Sequence, residues 1–292
     1  NNVAVFLNKN NYGLIPIEAG TDSSVKTVIK IDNQQFLKVK IFTCRGVTQG
    51  GANFEILEEH QLPELETNIT QQLEQETEGE GNDYFILLSV DPFNRQVFGE
   101  LNAEEEPPRY PFSIPGFKIN VLSEKILAKE GVHPYSFFIG KMKIAQGTPE
   151  IYDDYLPPCM VVKSHSQLID FSESVEKFFS QLELNLHNIN RKKKKKNQKK
   201  KKKKSVLILS ENLLHFVSEN HLRLHWEIPD KPPIQLFMFV ASAARVIRNT
   251  IDSNAASAKE ELLNYFTNWS ELKQGDFEKL LVYCINFEYK HY

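Results

Sequence analysis

Two hydrophobic periods follow one another along this chain. From Phe36 to Phe42 apolar and polar residues alternate, with Leu37, Val39 and Ile41 on one side and Lys38 and Lys40 on the other. A period of two marks a strand with one buried face. Val25 to Ile31, Tyr84 to Val90, Phe117 to Leu122 and Ser136 to Ile144 read as further strands from their β-branched and aromatic residues. Tyr84 to Leu88 is apolar throughout, so that strand is expected to be covered on both faces. Turn-forming clusters separate the runs: Gln49-Gly50-Gly51, Gly79-Glu80-Gly81-Asn82-Asp83 and Glu106-Pro107-Pro108. No long helical pattern intervenes, so an antiparallel sandwich is expected rather than a βαβ array. Glu58 to Gly81 is acidic, Gln-rich and poorly periodic, and reads as an exposed loop holding at most one short helix.

After Pro157-Pro158 the period changes to three and four. Leu168, Phe171, Val175, Phe178, Leu182, Leu186 and Ile189 fall on one helical face. Ser164 or Ser166 suits the N-cap. A second helix is expected over Val206 to Leu224, and a third from Pro232-Pro233 to about Ile251, where Pro fits the first turn. Two more are expected over Ala256 to Phe266 and from Asp276 toward the end. The expected fold class is therefore α+β. An antiparallel β-sandwich over 1–156 precedes a helical bundle over 157–292, with a Lys-rich insertion at 191–204 between the first two helices.

Charge sharpens this picture. The net charge is −3, yet 12 of the 35 basic residues lie between Arg191 and Lys204, leaving 23 basic against 38 acidic residues elsewhere. Such a tract could neutralise phosphates of a nucleic acid. It holds no aromatic residue for base stacking, and the body around it is acidic and repels a polyanion. A solvated insertion is the preferred reading, and a nucleic-acid-binding accessory protein using 191–204 is the alternative. Contact of the tract with an acidic protein surface, such as the Glu-rich loop, is a third use.

The candidate chemistry is thin. His221 and His225 share a helical face by spacing, but Leu222 stands where a His-Glu-x-x-His zinc site needs Glu. Asp153 and Asp154 are adjacent, so in an extended chain they point apart and read as a turn. Phosphate-binding Gly-rich loops and a Gly-x-Ser-x-Gly elbow are absent from the sequence. Asn68-Ile69-Thr70 and Asn268-Trp269-Ser270 match the glycosylation sequon without a visible secretory signal. Cys44, Cys159 and Cys284 lie far apart, with neither disulfide-framework nor zinc spacing, which suits a reducing compartment. No stretch reaches the length of an apolar membrane span. The expectation is a cytoplasmic, non-catalytic protein with no catalytic, cofactor-binding or metal residues. Any hydrolase activity would need an ordered pocket with converging carboxylates or histidines.

Several segments, in order, resemble the TssK baseplate component of the bacterial type VI secretion system. Cys44-Arg45-Gly46-Val47-Thr48-Gln49-Gly50-Gly51-Ala52-Asn53-Phe54-Glu55-Ile56 is similar to the family's strand–turn–strand element. Phe117-Lys118-Ile119-Asn120-Val121-Leu122-Ser123-Glu124 resembles its late β segment, and Tyr155-Leu156-Pro157-Pro158-Cys159-Met160 its junction before the bundle. Pro232-Pro233-Ile234-Gln235-Leu236-Phe237 and Asp276 to Phe287 resemble later bundle helices. The resemblance implies a cytoplasmic homotrimer whose shoulder, akin to that of phage receptor-binding proteins, attaches to the wedge proteins TssF and TssG. It also implies a head domain that contacts the membrane complex. The sequence stops at Tyr292 directly after the bundle and begins without an initiator Met, so head and leading segment are expected to be missing from this chain. The lysine tract stands outside the family pattern, and a divergent branch of Bacteroidetes type fits its AT-rich flavour. Apolar surface left over on the first bundle helix, around Phe179, is expected to lie between protomers.

Overall fold

The computed structural model describes residues 11–18, 23–76, 81–102, 104–110, 112–194 and 204–252. The chain divides into two units, Asn1–Ser166 and Gln167–Tyr292. The first is antiparallel β and the described part of the second is helical, an α+β fold.

In the first unit β1 (Gly13–Leu14), β2 (Val25–Ile31), β3 (Phe36–Val47), β4 (Asn53–Ile56) and β5 (Leu65–Asn68) make one sheet. β3 is its spine, with β1 and β2 on one edge and β4 and β5 on the other. β3 runs five residues past the alternation read from Phe36 to Phe42. Leu37, Val39 and Ile41 are buried, and then burial shifts phase to Cys44 and Gly46. The ladder shows why: Lys26 pairs with Thr43 and Thr27 with Ile41, so Phe42 is an extra residue in a bulge. A bulge resets which face a strand buries, and both halves of β3 thereby face the core. Phe42 carries the ammonium of Lys26 5.4 Å from its ring centre.

The second sheet orders as β7-β6-β8-β9, with β6 (Asn82–Phe98), β7 (Phe112–Ser123), β8 (Ser136–Ala145) and β9 (Thr148–Ile151). The two sheets share one core. Leu37, Val39, Ile41 and Phe54 from the first meet Ile86, Leu88, Ile119 and Phe137 from the second. Phe54 and Phe137 pack edge to face with ring centres 5.0 Å apart. Phe85, Leu87 and Phe138 lie off this core cluster, and Phe85 packs edge-on to Phe138 and Tyr155. That second covered face explains the uninterrupted apolar run of β6.

Glu58 to Gly81 departs from the loop expected there. It contributes β5 and the helix α1 (Thr70–Gln75), and buries Leu62, Ile69 and Leu73 in the sandwich core. These apolar residues are too widely spaced to show a period; pairing with β3 is what orders them. Glu76 closes the segment, accepting hydrogen bonds from the Asn82 amide at 2.6 Å and the Tyr84 hydroxyl at 2.9 Å. After β7 comes α2 (Glu124–Glu130), capped at its start by the Ser123 hydroxyl.

The second unit holds α3 (Ser166–Lys194), α4 (Lys204–Leu222) and α5 (Pro233–Asp252). Between α4 and α5 run a π-helical stretch, Arg223–Glu227, and a 3-10 turn, Ile228–Asp230. Phe179 of α3, Phe216 of α4 and Phe239 of α5 form a ring cluster with centre separations of 4.9, 5.4 and 6.4 Å. Phe179 is thus spent inside its own chain, which corrects its expected place between protomers. Phe178, on the face read from the sequence, is only half-buried. The helices expected over Ala256 to Phe266 and after Asp276 lie outside the described residues.

Candidate functional site

Among the described residues, those singled out from the sequence form no common site within either unit. Of the tract Arg191 to Lys204, the structure gives helical backbone through Lys194 and again from Lys204, with Arg191 exposed. Residues 195–203 lie outside the described residues. Asp153 and Asp154 follow β9, exposed, inside a turn closed by the Tyr155 amide donating to the Tyr152 carbonyl at 3.3 Å. Asn68 spends its side chain on the backbone, its Oδ1 accepting from the Thr70 amide at 2.9 Å.

His221 and His225 do not act as a pair. His221 ends α4 and sits 3.9 Å from Glu183, whereas His225 lies in the π-helical stretch and hydrogen-bonds Glu176. Glu176 and Glu183 are seven residues apart on α3, which separates them by roughly 10 Å at 1.5 Å per residue. The π stretch, in which the Ile228 amide reaches back five residues to the Arg223 carbonyl, breaks the α-helical phase that would align the two histidines. Among the described residues no group of three His, Cys, Asp or Glu side chains is placed to hold a metal ion.

The two described cysteines, Cys44 and Cys159, are poorly placed to react, and Cys284 lies outside the described residues. Burial pushes the Cys44 thiol up to about 12, and burial does the same for Cys159, whose Sγ donates to the Pro157 carbonyl at 3.2 Å. A thiol with so little thiolate is a poor nucleophile. In the native protein at pH 8, Cys44 and Cys159 are expected to resist iodoacetamide over an hour and to label fully once denatured. Peptide mass spectrometry resolves each site, and native labelling of either thiol within minutes would contradict this placement.

Sequence reading missed two features. Arg45 of β3 is mostly buried between Glu18, at 2.5 Å, and Glu55 of β4, at 2.6 Å. The Glu55 contact is an ion pair without hydrogen-bond alignment at Nε, while the hydrogen bond from Arg45 holds the Glu18 carboxyl below the usual range. The arrangement fastens the β3–β4 hairpin. The other feature is an open groove of about 400 Å³ on the sandwich, lined by Phe85, Leu127, Ala128, Phe138, Tyr155 and Pro158 among others. Burial, with a smaller contribution from Tyr12, raises the Tyr155 phenol well above its ordinary value. Neither histidine nor cysteine lines the groove. Its walls are mostly apolar, with Glu124, Tyr12 and Tyr155 as the polar groups. No described helix is long and apolar enough to cross a membrane.

No protein-family model matches the chain, and no curated protein sequence does. Among solved structures it is similar to TssK from the type VI secretion system of EAEC in complex with nanobody nb18. The TM-score is 0.49 and the identity 10%, over 87% of this chain and 84% of that one. A crystal structure of TssK gives a TM-score of 0.48 at 11% identity, over 88% of this chain and 58% of that one. A cryo-electron microscopy structure of the type VI secretion system TssK-TssF-TssG baseplate subcomplex gives 0.44 at 10% identity, over 87% and 79%.

Proposed function

We propose that this chain is a non-catalytic adaptor of a type VI secretion baseplate, of the TssK kind. The observation that carries the reading is the order of the resembling segments, three of which fall on strands and helices of the type they need, while Asp276 to Phe287 lies outside the described residues. Residues 44–56 form the β3–β4 hairpin, 117–124 the end of β7 and the first residue of α2, and 232–237 the start of α5. In this reading the part before Pro157 is a shoulder that attaches to TssF- and TssG-type wedge proteins. The part after it forms a homotrimer, and the protein works in the cytoplasm. The role is rigid positioning through protein interfaces.

The test is direct. The purified full chain is expected to run as a trimer by light scattering, and to co-purify with TssF- and TssG-type wedge proteins when they are co-expressed. A stable monomer that forms no complex with them would overturn the reading.

A further inference from the structure

From Phe93 to Tyr110 every side chain whose burial the structure describes is exposed. Four of them are large and apolar: Phe93 (83% exposed), Val97 (64%), Leu101 (49%) and Tyr110 (47%). This stretch is ordered. β6 and β7 stay paired beyond the sandwich, with Arg95 opposite Pro115 and Val97 opposite Ser113, and Asn102 and Arg109 exchange two backbone hydrogen bonds near the tip. Its departure from the sheet is built in. β8 stops opposite Ser89, and at that point Asp91 accepts from the Phe93 and Asn94 amides, both at 3.1 Å, in a bulge that turns β6. Beyond it, among the described residues, β6 has no ladder partner on the side away from β7.

An exposed strand edge with apolar side chains is normally a liability that natural sequences suppress. Here it is kept on a ribbon outside the core, where no packing demand accounts for it. Charge tells what covers it. Glu100, Glu104, Glu105 and Glu106 surround the tip, and among the described residues only Glu105 has a basic partner, Arg109 at 3.8 Å. Arg95 is turned back onto the Ser113 hydroxyl and carbonyl. The rim is therefore acidic and demands a basic partner. A second copy fits poorly, because outside 191–204 this chain carries 38 acidic and 23 basic residues. An anionic membrane surface is repelled for the same reason.

We infer that the β6–β7 ribbon is a docking arm, seated in an apolar cleft rimmed by Lys and Arg on another protein of the assembly. The inference rests on the baseplate-adaptor reading, which supplies the wedge proteins as the probe. Affinity for the purified TssF–TssG-type complex would be measured for the wild type and three variants. Val97→Asp with Leu101→Asp removes the apolar contact, and Glu104→Lys with Glu106→Lys reverses the rim. Val28→Asp, on β2, serves as a surface control. The apolar double variant is expected to bind more than about tenfold more weakly, as loss of a buried hot spot does, with its melting temperature unchanged. The charge reversal is expected to weaken binding less and to flatten its salt dependence. The control should match the wild type. Wild-type affinity in the apolar variant overturns the arm and leaves the adaptor reading standing, whereas a wild type that binds no wedge protein overturns both. An apolar variant that loses self-association while keeping its wedge affinity also overturns the arm as drawn, because its occupant is then a second copy.

Discussion

Replacing Phe137 by alanine is expected to cost the β unit about 3–5 kcal/mol, the range for emptying a buried phenylalanine site. Its ring is 1% exposed and lies edge-on to Phe54, itself 2% exposed, where the two sheets meet. Neither neighbour can collapse easily into the hole. Ile86 and Leu88, fully buried beside it on β6, are held by ladders on both sides. A loss of this size consumes a large part of the 5–15 kcal/mol that stabilises an ordinary domain. Urea denaturation followed by far-UV circular dichroism would show it as a lower midpoint with an unchanged slope. A shift below about 1 kcal/mol would mean that the sheets do not pack as described. Phe93→Ala is the internal comparison: that ring is mostly in solvent and touches Tyr135 at 6.3 Å, so its removal should change stability little.

Phe179→Ala is expected to cost the helical unit a similar amount, about 3–5 kcal/mol. Its ring is in contact with those of Phe216 and Phe239, so one truncation loosens α3 from both α4 and α5. Phe178→Ala should cost clearly less, because its side chain is only partly buried. Measured side by side by loss of signal at 222 nm, equal effects from the two substitutions would refute the assigned helical face. The same pair bears on assembly. A ring consumed inside its own chain has nothing left to give a second protomer. At temperatures where Phe179→Ala stays folded, light scattering should therefore give the wild-type oligomer, and dissociation would return Phe179 to a protomer interface.

How far the sequence reaches can be judged element by element. Val25 to Ile31 and the strand from Ser136 were legible because each has one strong local signal, alternation or β-branched and aromatic density. The helices at 166–194, 204–222 and 233–252 were legible because an amphipathic face repeats over several turns. Glu58 to Gly81 was not, because β5 and α1 are short and owe their order to β3. The docking ribbon was not, because Phe93, Val97, Leu101 and Tyr110 look in one dimension like ordinary core residues. Only burial separates an exposed phenylalanine from a packed one.

What this sequence determined by itself is the succession of a β part and a helical part. A backbone has two soft angles per residue, and side-chain period alone selects strand or helix. It also marks a change of period after Pro157-Pro158, whereas the first long helix starts at Ser166. Tertiary structure decided the rest. It tied that junction to the start of the chain, where the Leu14 amide donates to the Pro158 carbonyl at 2.7 Å and the Met160 amide to the Leu14 carbonyl at 3.0 Å. Gly13 permits the approach, with φ at +134° and no room for a side chain beside Pro158 and Cys159. It chose Phe179 over Phe178 for the bundle core, a rotation of one residue that a period of three and four leaves open. And it carried β3 past Phe42 by a bulge, a phase reset that only the partner strand's register can specify. In each case contacts distant in sequence chose among conformations that the local pattern allows equally.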